Sequence, residues 1–423
     1  MKNILIAIRS IFKKGRHNVM KIVSLGIGLA VGLVLIAKVY FEQSYDDFYP
    51  DRDRVYQVWA KYQQNGGELK DYPQTSGGIA PTMQQQIPEI ETVTRYTSFG
   101  DWTFTMTDTK MKYSGRCIIA DSCFFDILPR PMLIGNAKEV LSTPMYVLVS
   151  SRIAKNIGGD VIGKNFTVDS SPGRTMTIGG VFEEVPENSH SRYDVIVSMA
   201  SAGRFMWEGS PTNMLGNDRY ISYVKLHKGV NPLALEEQVH TFVNSYFPPE
   251  EQQKTGFNIG FSFHELDGLH KELPQVKRMT WILSLLAFAL IFTAVMNYIL
   301  IVISSIVNRS KEVAVHKCYG ASENNIHGMM FGEALVHIVL SLILALLLIL
   351  AFRGTVEELL ATSLDSLLLS NGSLVLLGIC ILVFFVSGFM PGSLYARIPV
   401  ASAFRNYREN KRIWKKALCL SSL

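Results

Sequence analysis

Seven residues, Gly158-Gly159-Asp160-Val161-Ile162-Gly163-Lys164, carry the spacing of a loop that cradles phosphate. In such a loop backbone amides wrap the phosphates, the lysine reaches them, and the next residue is Ser or Thr to hold magnesium. Here Asn165 takes that place. A helix-like segment, 151–156, precedes the glycines and a strand-like one, 165–169, follows, the reverse of the order phosphate binding needs. The segment therefore reads as a glycine-rich turn. His264-Glu265 lacks the second histidine of a zinc-protease helix, and His190, His240 and His270 have no ligand spacing around them. No Gly-x-Ser-x-Gly elbow occurs. With no catalytic constellation, the chain is expected to be no enzyme, to hold no metal or cofactor, and to draw its energy from another polypeptide.

The elements that carry these residues are set by the distribution of apolar side chains. Hydrophobic residues make up 48% of 423 positions, and they gather in four runs, 19–41, 279–307, 329–352 and 373–390. Each is long enough, and free enough of charge, to cross roughly 30 Å of hydrocarbon. The net charge of +5 lies mainly at membrane-flanking ends. It therefore orients the protein and is no nucleic-acid footprint. Lys2, Arg9, Lys13, Lys14 and Arg16 precede the first run, with Lys21 at its start, and Arg397, Arg405, Arg408, Lys411, Arg412, Lys415 and Lys416 follow the fourth. Both termini are predicted to be cytoplasmic. Ile4, Leu5, Ile8, Ile11 and Phe12 recur at helical spacing opposite Arg9, Lys13 and Lys14, so residues 1–18 read as an amphipathic helix in the inner interface. The first run is long and no small-residue cleavage site follows it, so it is expected to stay as an anchor.

Within the runs, Ser24, Gly28 and Gly32 place small residues one turn apart on the first span, a stripe that lets another helix approach closely. Asn297 is the polar residue of the second span, and such a side chain is expected to bond to a neighbouring helix. Glu333 and His337 lie one turn apart near the start of the third, where an ionisable residue faces protein or water.

Residues 42–276 are polar and read as an outer α+β domain. Tyr56, Val58, Ala60 and Tyr62 share one face of a strand, and 81–87 fits a short helix ended by Pro88. Trp102, Phe104 and Met106 alternate before a turn at 108–110 and a second strand through Ile119. Asn231 is placed as a helix cap with Pro232 after it, followed by the apolar stripe Leu235, Val239, Phe242, Val243 and Tyr246. Cys117 and Cys123 are the cysteines of this region; free, buried thiols are expected, with a disulfide between the two as the alternative in an oxidising compartment. Residues 353–372 form a short outer loop whose Val356, Leu359, Leu360, Leu364, Leu367 and Leu368 suggest a surface helix. Residues 391–423 form a basic cytoplasmic tail.

Between the second and third spans, residues 308–328 must reverse the chain on the inner face. Arg309, Lys311, His316 and Lys317 load this corner with positive charge, and loops so loaded stay cytoplasmic. Gly320 is placed to end one helix in the left-handed conformation, and Ser322 with Glu323 to cap the next. The pattern Arg309-x-Lys311-Glu312-Val313-Ala314-Val315-x-Lys317-x-x-Gly320-Ala321-Ser322, with Ile326 and Glu333 following, resembles the signature of the FtsX-like, MacB-type permeases of ABC transporters. His316 stands where that family usually has arginine. The phrases 179–190 and 193–198, Met296-Asn297-Tyr298, and the tail residues Pro391, Arg397, Pro399, Ala401 and Arg405 are similar to the same family, so the resemblance covers nearly the whole chain.

The resemblance implies a multi-pass protein of a bacterial inner membrane, with four transmembrane helices and a large periplasmic α+β domain inserted between the first two. It implies that Arg309, Lys311, Glu312, His316, Lys317, Gly320, Ala321, Ser322 and Glu333 meet a cytoplasmic ABC ATPase dimer, which carries the ATP and magnesium. It implies a second permease copy, identical or related, an adaptor or outer-membrane partner for some members, and lipid around the spans; nucleic acid is not expected. The work would be mechanical, done on a periplasmic substrate such as an antimicrobial compound, peptide or lipoprotein. Two alternatives share much of this topology: a non-transporting regulator of cell-wall hydrolases and a membrane-anchored sensor.

Overall fold

Alternation after the first span folds into a strand. In a computed structural model, β1 (Val55–Gln64) buries Val58 and Ala60 completely and Tyr56 to 8%. The structure describes residues 18–171, 173–216, 218–304, 315, 318–320, 322–368, 375–376, 378–383 and 386. These fall into two units, Ser44–Leu273 and the combination of Met1–Gln43 with Pro274–Leu423.

The Ser44–Leu273 unit continues through β2 (Lys70–Tyr72), β3 (Ile90–Met106), β4 (Lys112–Ala120), β5 (Met132–Ile134) and β6 (Tyr146–Ser150). β7 (Asn165–Val168), β8 (Thr175–Phe182), β9 (Val195–Ser198), β10 (Ile221–Leu226) and β11 (Phe257–Glu265) complete one sheet. Its order is β11-β1-β10-β3-β4-β9-β6-β8-β5, with β2 beside β1 and β7 joining β3 to β8. That last pairing closes β3, β4, β9, β6, β8 and β7 into a ring, which encloses Phe104, Ile119, Val147, Val149, Phe166, Met176, Ile178 and Val197. The 17-residue strand β3 serves both the ring and the open part of the sheet: its first half pairs with β10, its second with β7. A register shift between Ser98 and Gly100, where Gly100 takes φ +73°, lets it bend between the two.

Over the open part, helix Ile79–Gln86 and helix Glu236–Tyr246 cover β1, β3 and β10 through Ile79, Met83, Val239, Phe242 and Val243. Asn231 accepts from the Leu233 amide at 3.0 Å and starts a 3-10 turn, Pro232–Leu235, ahead of the second helix. The helix expected at 81–87 begins two residues earlier, with Pro81 inside its first turn, where the missing N–H costs nothing. The glycine-rich segment follows helix Ser151–Ile157 and precedes β7, and Lys164 Nζ donates to Gly158 O at 3.3 Å. Lysine and loop satisfy each other, as in a turn. Cys117 is buried and Cys123 half-buried, and both are free thiols.

Among the described residues of the other unit, three helices are long and apolar enough to cross a membrane: Asn18–Gln43, Pro274–Val302 and Phe331–Ala351. Their full helices are Asn18–Gln43, Pro274–Ser304 and Glu323–Ala351, here spans 1, 2 and 3. Leu25, Leu29 and Leu33 of span 1 meet Val295, Tyr298 and Ile299 of span 2 and Ile338 and Ala345 of span 3 in one apolar core. At the far end of span 1, Lys38 Nζ sits 2.6 Å from Glu42 Oε1 and donates to Thr362 Oγ1 at 2.9 Å.

The segment 353–372 differs from the single surface helix expected. It forms two short helices, Arg353–Leu360 and Leu364–Leu368, broken at Ala361 with φ +50°. Leu364 and Leu367 are buried rather than laid on a surface, and Leu359 is exposed. The break rotates the second apolar stripe relative to the first, so one face cannot hold both. The amphipathic segment 1–18 apart from Asn18, most of the fourth run 373–390, and the tail 391–423 lie outside the described residues.

Candidate functional site

Of the corner expected on the inner face, Gly320, Ser322 and Glu333 are described, whereas Arg309, Lys311, Glu312, His316, Lys317 and Ala321 lie outside the described residues. Gly320 adopts φ +84°, the left-handed region where only glycine escapes a steric cost. Ser322 directly precedes the span 3 helix that begins at Glu323. Glu333 is 7% exposed and His337 1%, and His337 Nδ1 lies 3.4 Å from Tyr298 Oη on span 2. The middle of span 3 is thus held to span 2 by a polar contact inside an apolar bundle.

The small-residue stripe of span 1 lies where span 2 comes close. A methyl group at Gly28 would stand 2.2 Å from Ala294 Cβ, and one at Gly32 2.4 Å from Ile291 Cγ1. Ser24 is half-buried. Gly26, on another side, faces span 3: a methyl there would meet Leu344 at 2.9 Å and the Ser341 carbonyl at 3.1 Å. Ser341 Oγ donates to Ile22 O at 3.1 Å, which ties span 3 to span 1. Asn297 behaves otherwise than expected. It is exposed, because span 2 turns Val295, Tyr298, Ile299 and Val302 inward and leaves Thr293, Asn297 and Leu300 on the outer face.

The segments that join the outer domain to spans 1 and 2 form a second locus. Asp46 is fully buried with φ +59°, two residues past the domain boundary at Ser44. Its amide donates to Asn188 O at 2.9 Å. Its carboxylate accepts from Ser189 Oγ at 2.9 Å and the His190 amide at 3.3 Å, and it lies 2.7 Å from His190 Nδ1. His190 Nε2 in turn lies 2.5 Å from the hydroxyl of Tyr223, a fully buried residue of β10. Asn188 Nδ2 donates to Ser44 O at 2.7 Å. Around this chain of polar groups stands an aromatic cluster of Tyr49, Tyr96, Phe124, Phe182, Tyr193 and Tyr223. Burial pushes the phenols of Tyr49, Tyr96, Tyr193 and Tyr223 up, so they stay neutral.

The segment that leads into span 2 is fastened to the same place. Tyr45 and His270 stack with ring centroids 3.4 Å apart and 8° between planes. Lys271 Nζ bridges Asp47 at 2.8 Å and Asp267 at 2.9 Å, and Arg52 bridges the same two carboxylates at 3.0 and 3.2 Å. Burial alone would lower the Lys271 ammonium pKa, but hydrogen bonds to Asp47 and Asp267 hold it above its ordinary value. Two anions and two cations therefore alternate where the domain's chain ends meet. Charge-assisted hydrogen bonds of this kind contribute about 1.5–3 kcal/mol each where buried, as at Asp46, and less where the groups reach solvent, as Asp47 and Arg52 do.

The sequence pattern pointed to the first locus only. The phrases 45–51 and 186–190 each carry the polar residues of the second, but 144 positions separate Asp46 from His190, and no local spacing pairs them. His190, read as an ordinary histidine, is the hinge of that network. His264 stacks on Trp59 at 4.1 Å, and His240 Nδ1 lies 3.1 Å from Asn244 Nδ2; among the described residues no group of three ligating side chains comes together.

Residues 20–242 match the family model of the MacB-like periplasmic core domain, and residues 284–400 that of the FtsX-like permease C-terminal region. Curated proteins yielded no match. Among solved structures the chain is similar to a domain assigned to a permease protein of Porphyromonas gingivalis, with 32% identity and a TM-score of 0.47 over 51% of this chain and 91% of that one. It is similar also to the periplasmic region of MacB from Actinobacillus actinomycetemcomitans, at 15% identity and a TM-score of 0.34 over 52% and 92% of the two chains. The extracellular domain of the noncanonic ABC-type transporter YknZ from Gram-positive bacteria matches at 10% identity and 0.35 over 48% and 98%. With more than half of the chain under the MacB-like model and its later helices under the FtsX-like one, the protein belongs to the FtsX-like, MacB-type permeases of ABC transporters.

Proposed function

We propose that this permease subunit converts ATP hydrolysis by a separate cytoplasmic ATPase dimer into movement of its outer domain, and that the movement expels a periplasmic substrate. The ATPase meets the corner 308–328, with Glu312, Lys317 and Gly320 as the central contacts. Spans 1 and 2 carry the displacement outward. The observation that supports the reading lies within the outer domain: both of its chain ends are clasped to it, Asp46 with His190 and Lys271 with Asp47, so that a pull on either end would reach the folded domain.

A second permease copy stands beside this one in a bacterial inner membrane. The exposed polar side chain of Asn297 supports that arrangement, since an amide left in hydrocarbon costs free energy until a neighbouring helix accepts it. Lipid surrounds the exposed apolar faces, such as Trp281, Leu285 and Phe288 of span 2. An adaptor or outer-membrane partner would receive what the outer domain expels.

The test is charge reversal at Glu312 in the chain co-expressed with its ATPase. Glu312→Lys is expected to abolish stimulated ATP hydrolysis and to leave membrane insertion intact. Hydrolysis at the unsubstituted rate would remove the coupling claim.

A further inference from the structure

The open end of the sheet carries a feature that coupling does not use. β1 runs with β2 on one side and β11 on the other, in the registers Ala60 with Tyr72, Tyr62 with Lys70, and Gln64 with Phe257. Residues opposite one another in antiparallel strands share a face, so Tyr62, Tyr72 and Phe257 rise from the same side. Nearer the middle of β1 that side is covered by the helices that bury Val58, but here it is open: Tyr72 is 44% exposed.

The three rings form a trough with Tyr62 as its floor. Tyr62 lies 5.6 Å from Tyr72 at 56° and 5.5 Å from Phe257 at 43°. The gap they line measures about 540 Å³, within the range of small-ligand clefts. One carboxylate is fixed beside it. Asp218 Oδ2 accepts from Tyr62 Oη at 2.6 Å and its Oδ1 from Ser76 Oγ at 2.5 Å. Each carboxylate oxygen keeps a further lone pair. Gln64 and Gln74 add two amides to the lining, each able to donate and accept.

The chemistry of the lining selects among ligands. A phosphate ligand needs clustered cations, and among the described residues Lys70 is the one cation of this lining, which also holds Glu68. A cationic ligand would be drawn by Asp218 and Glu68 but opposed by Lys70, and an ammonium, which only donates, would leave the N–H donors of Gln64 and Gln74 without acceptors. A purely apolar one would strip water from Asp218, Gln64 and Gln74 without replacing its hydrogen bonds. A neutral saccharide satisfies all three conditions: its C–H face lies on aromatic rings, and its hydroxyls pair with carboxylate and amides. We propose that this trough is a binding site for a neutral oligosaccharide, entered from the outer side of β2.

The experiment uses the full chain in detergent with cellotriose, chitotriose and maltotriose as probes, read by saturation-transfer NMR. At least one is expected to show transfer. Tyr72→Ala should weaken that binding by about three- to tenfold, the worth of one aromatic contact, and Gln74→Ala, at an exposed position, should weaken it with no change in unfolding temperature. Trp207→Ala, at an exposed tryptophan elsewhere, should leave it unaltered. The proposal is overturned if no probe shows transfer, if Tyr72→Ala and Gln74→Ala both bind as the parent does, or if the peptide Lys-Tyr-Lys binds more tightly than every sugar.

Discussion

Asp46 Oδ2 and His190 Nδ1 lie 2.7 Å apart, although 144 residues separate them. The pair fastens the chain leaving span 1 to the loop that follows β8, and through Tyr223 to β10. The pair lies inside the outer domain, two residues past its boundary at Ser44, and several predictions rest on it and on the spans.

Removing the histidine leaves a buried carboxylate short of one partner. His190→Phe should destabilise the outer domain by about 1.5–3 kcal/mol, read as a lower thermal unfolding temperature. Asp46→Asn should cost less than Asp46→Ala, because asparagine tolerates the φ of +59° better and can still accept from Ser189. Equal losses for the two would mean that backbone conformation plays no part.

At the other clasp, Lys271→Met removes the cation shared by Asp47 and Asp267. Under the coupling reading, this variant should keep nucleotide binding by the partner ATPase while lowering export per ATP hydrolysed. A variant with parental export per ATP would mean that the clasp has no part in transmission.

Span contact is testable by exchange of volume. Gly28→Ala places a methyl 2.2 Å from that of Ala294, too close for two carbon atoms, so the helices must separate and stability in detergent should fall. The double variant Gly28→Ala with Ala294→Gly moves the methyl to the opposite helix and should recover most of the loss. Failure of the double variant to recover would show that the two positions do not meet.

Acid should weaken the corner beside the first strand. Hydrogen bonds from Lys225 and Arg54 hold the Asp51 carboxyl below its ordinary value, and that from Arg54 does the same for Glu91. A depressed carboxyl binds fewer protons in the folded state, so its contribution is present above its unfolded pKa, near 4, and is lost as pH falls through the lower folded value. Unfolding temperature should therefore drop more steeply below about pH 4 in the parent than in Asp51→Asn. Parallel curves would assign the acid sensitivity to other groups.

Much of this molecule is legible along the chain because bilayer and sheet each impose a short period. Charge-poor runs announced spans 1 to 3; alternation announced β1, β3 and β4; Asn231 before Pro232 announced a helix start; and the lack of Ser or Thr after Lys164 ruled out a phosphate loop. Each of these depends on residues within a turn or strand of one another, where local sterics and hydration decide. Tertiary structure decided what distance hides: that β7 closes the ring from β3 to β8, that Asp46 finds His190, that Tyr62, Tyr72 and Phe257 converge, and that Asn297 faces outward instead of into the described bundle. Such pairings follow from how whole elements pack and in which register, and the burial of a side chain on a uniformly apolar helix depends on which neighbours arrive.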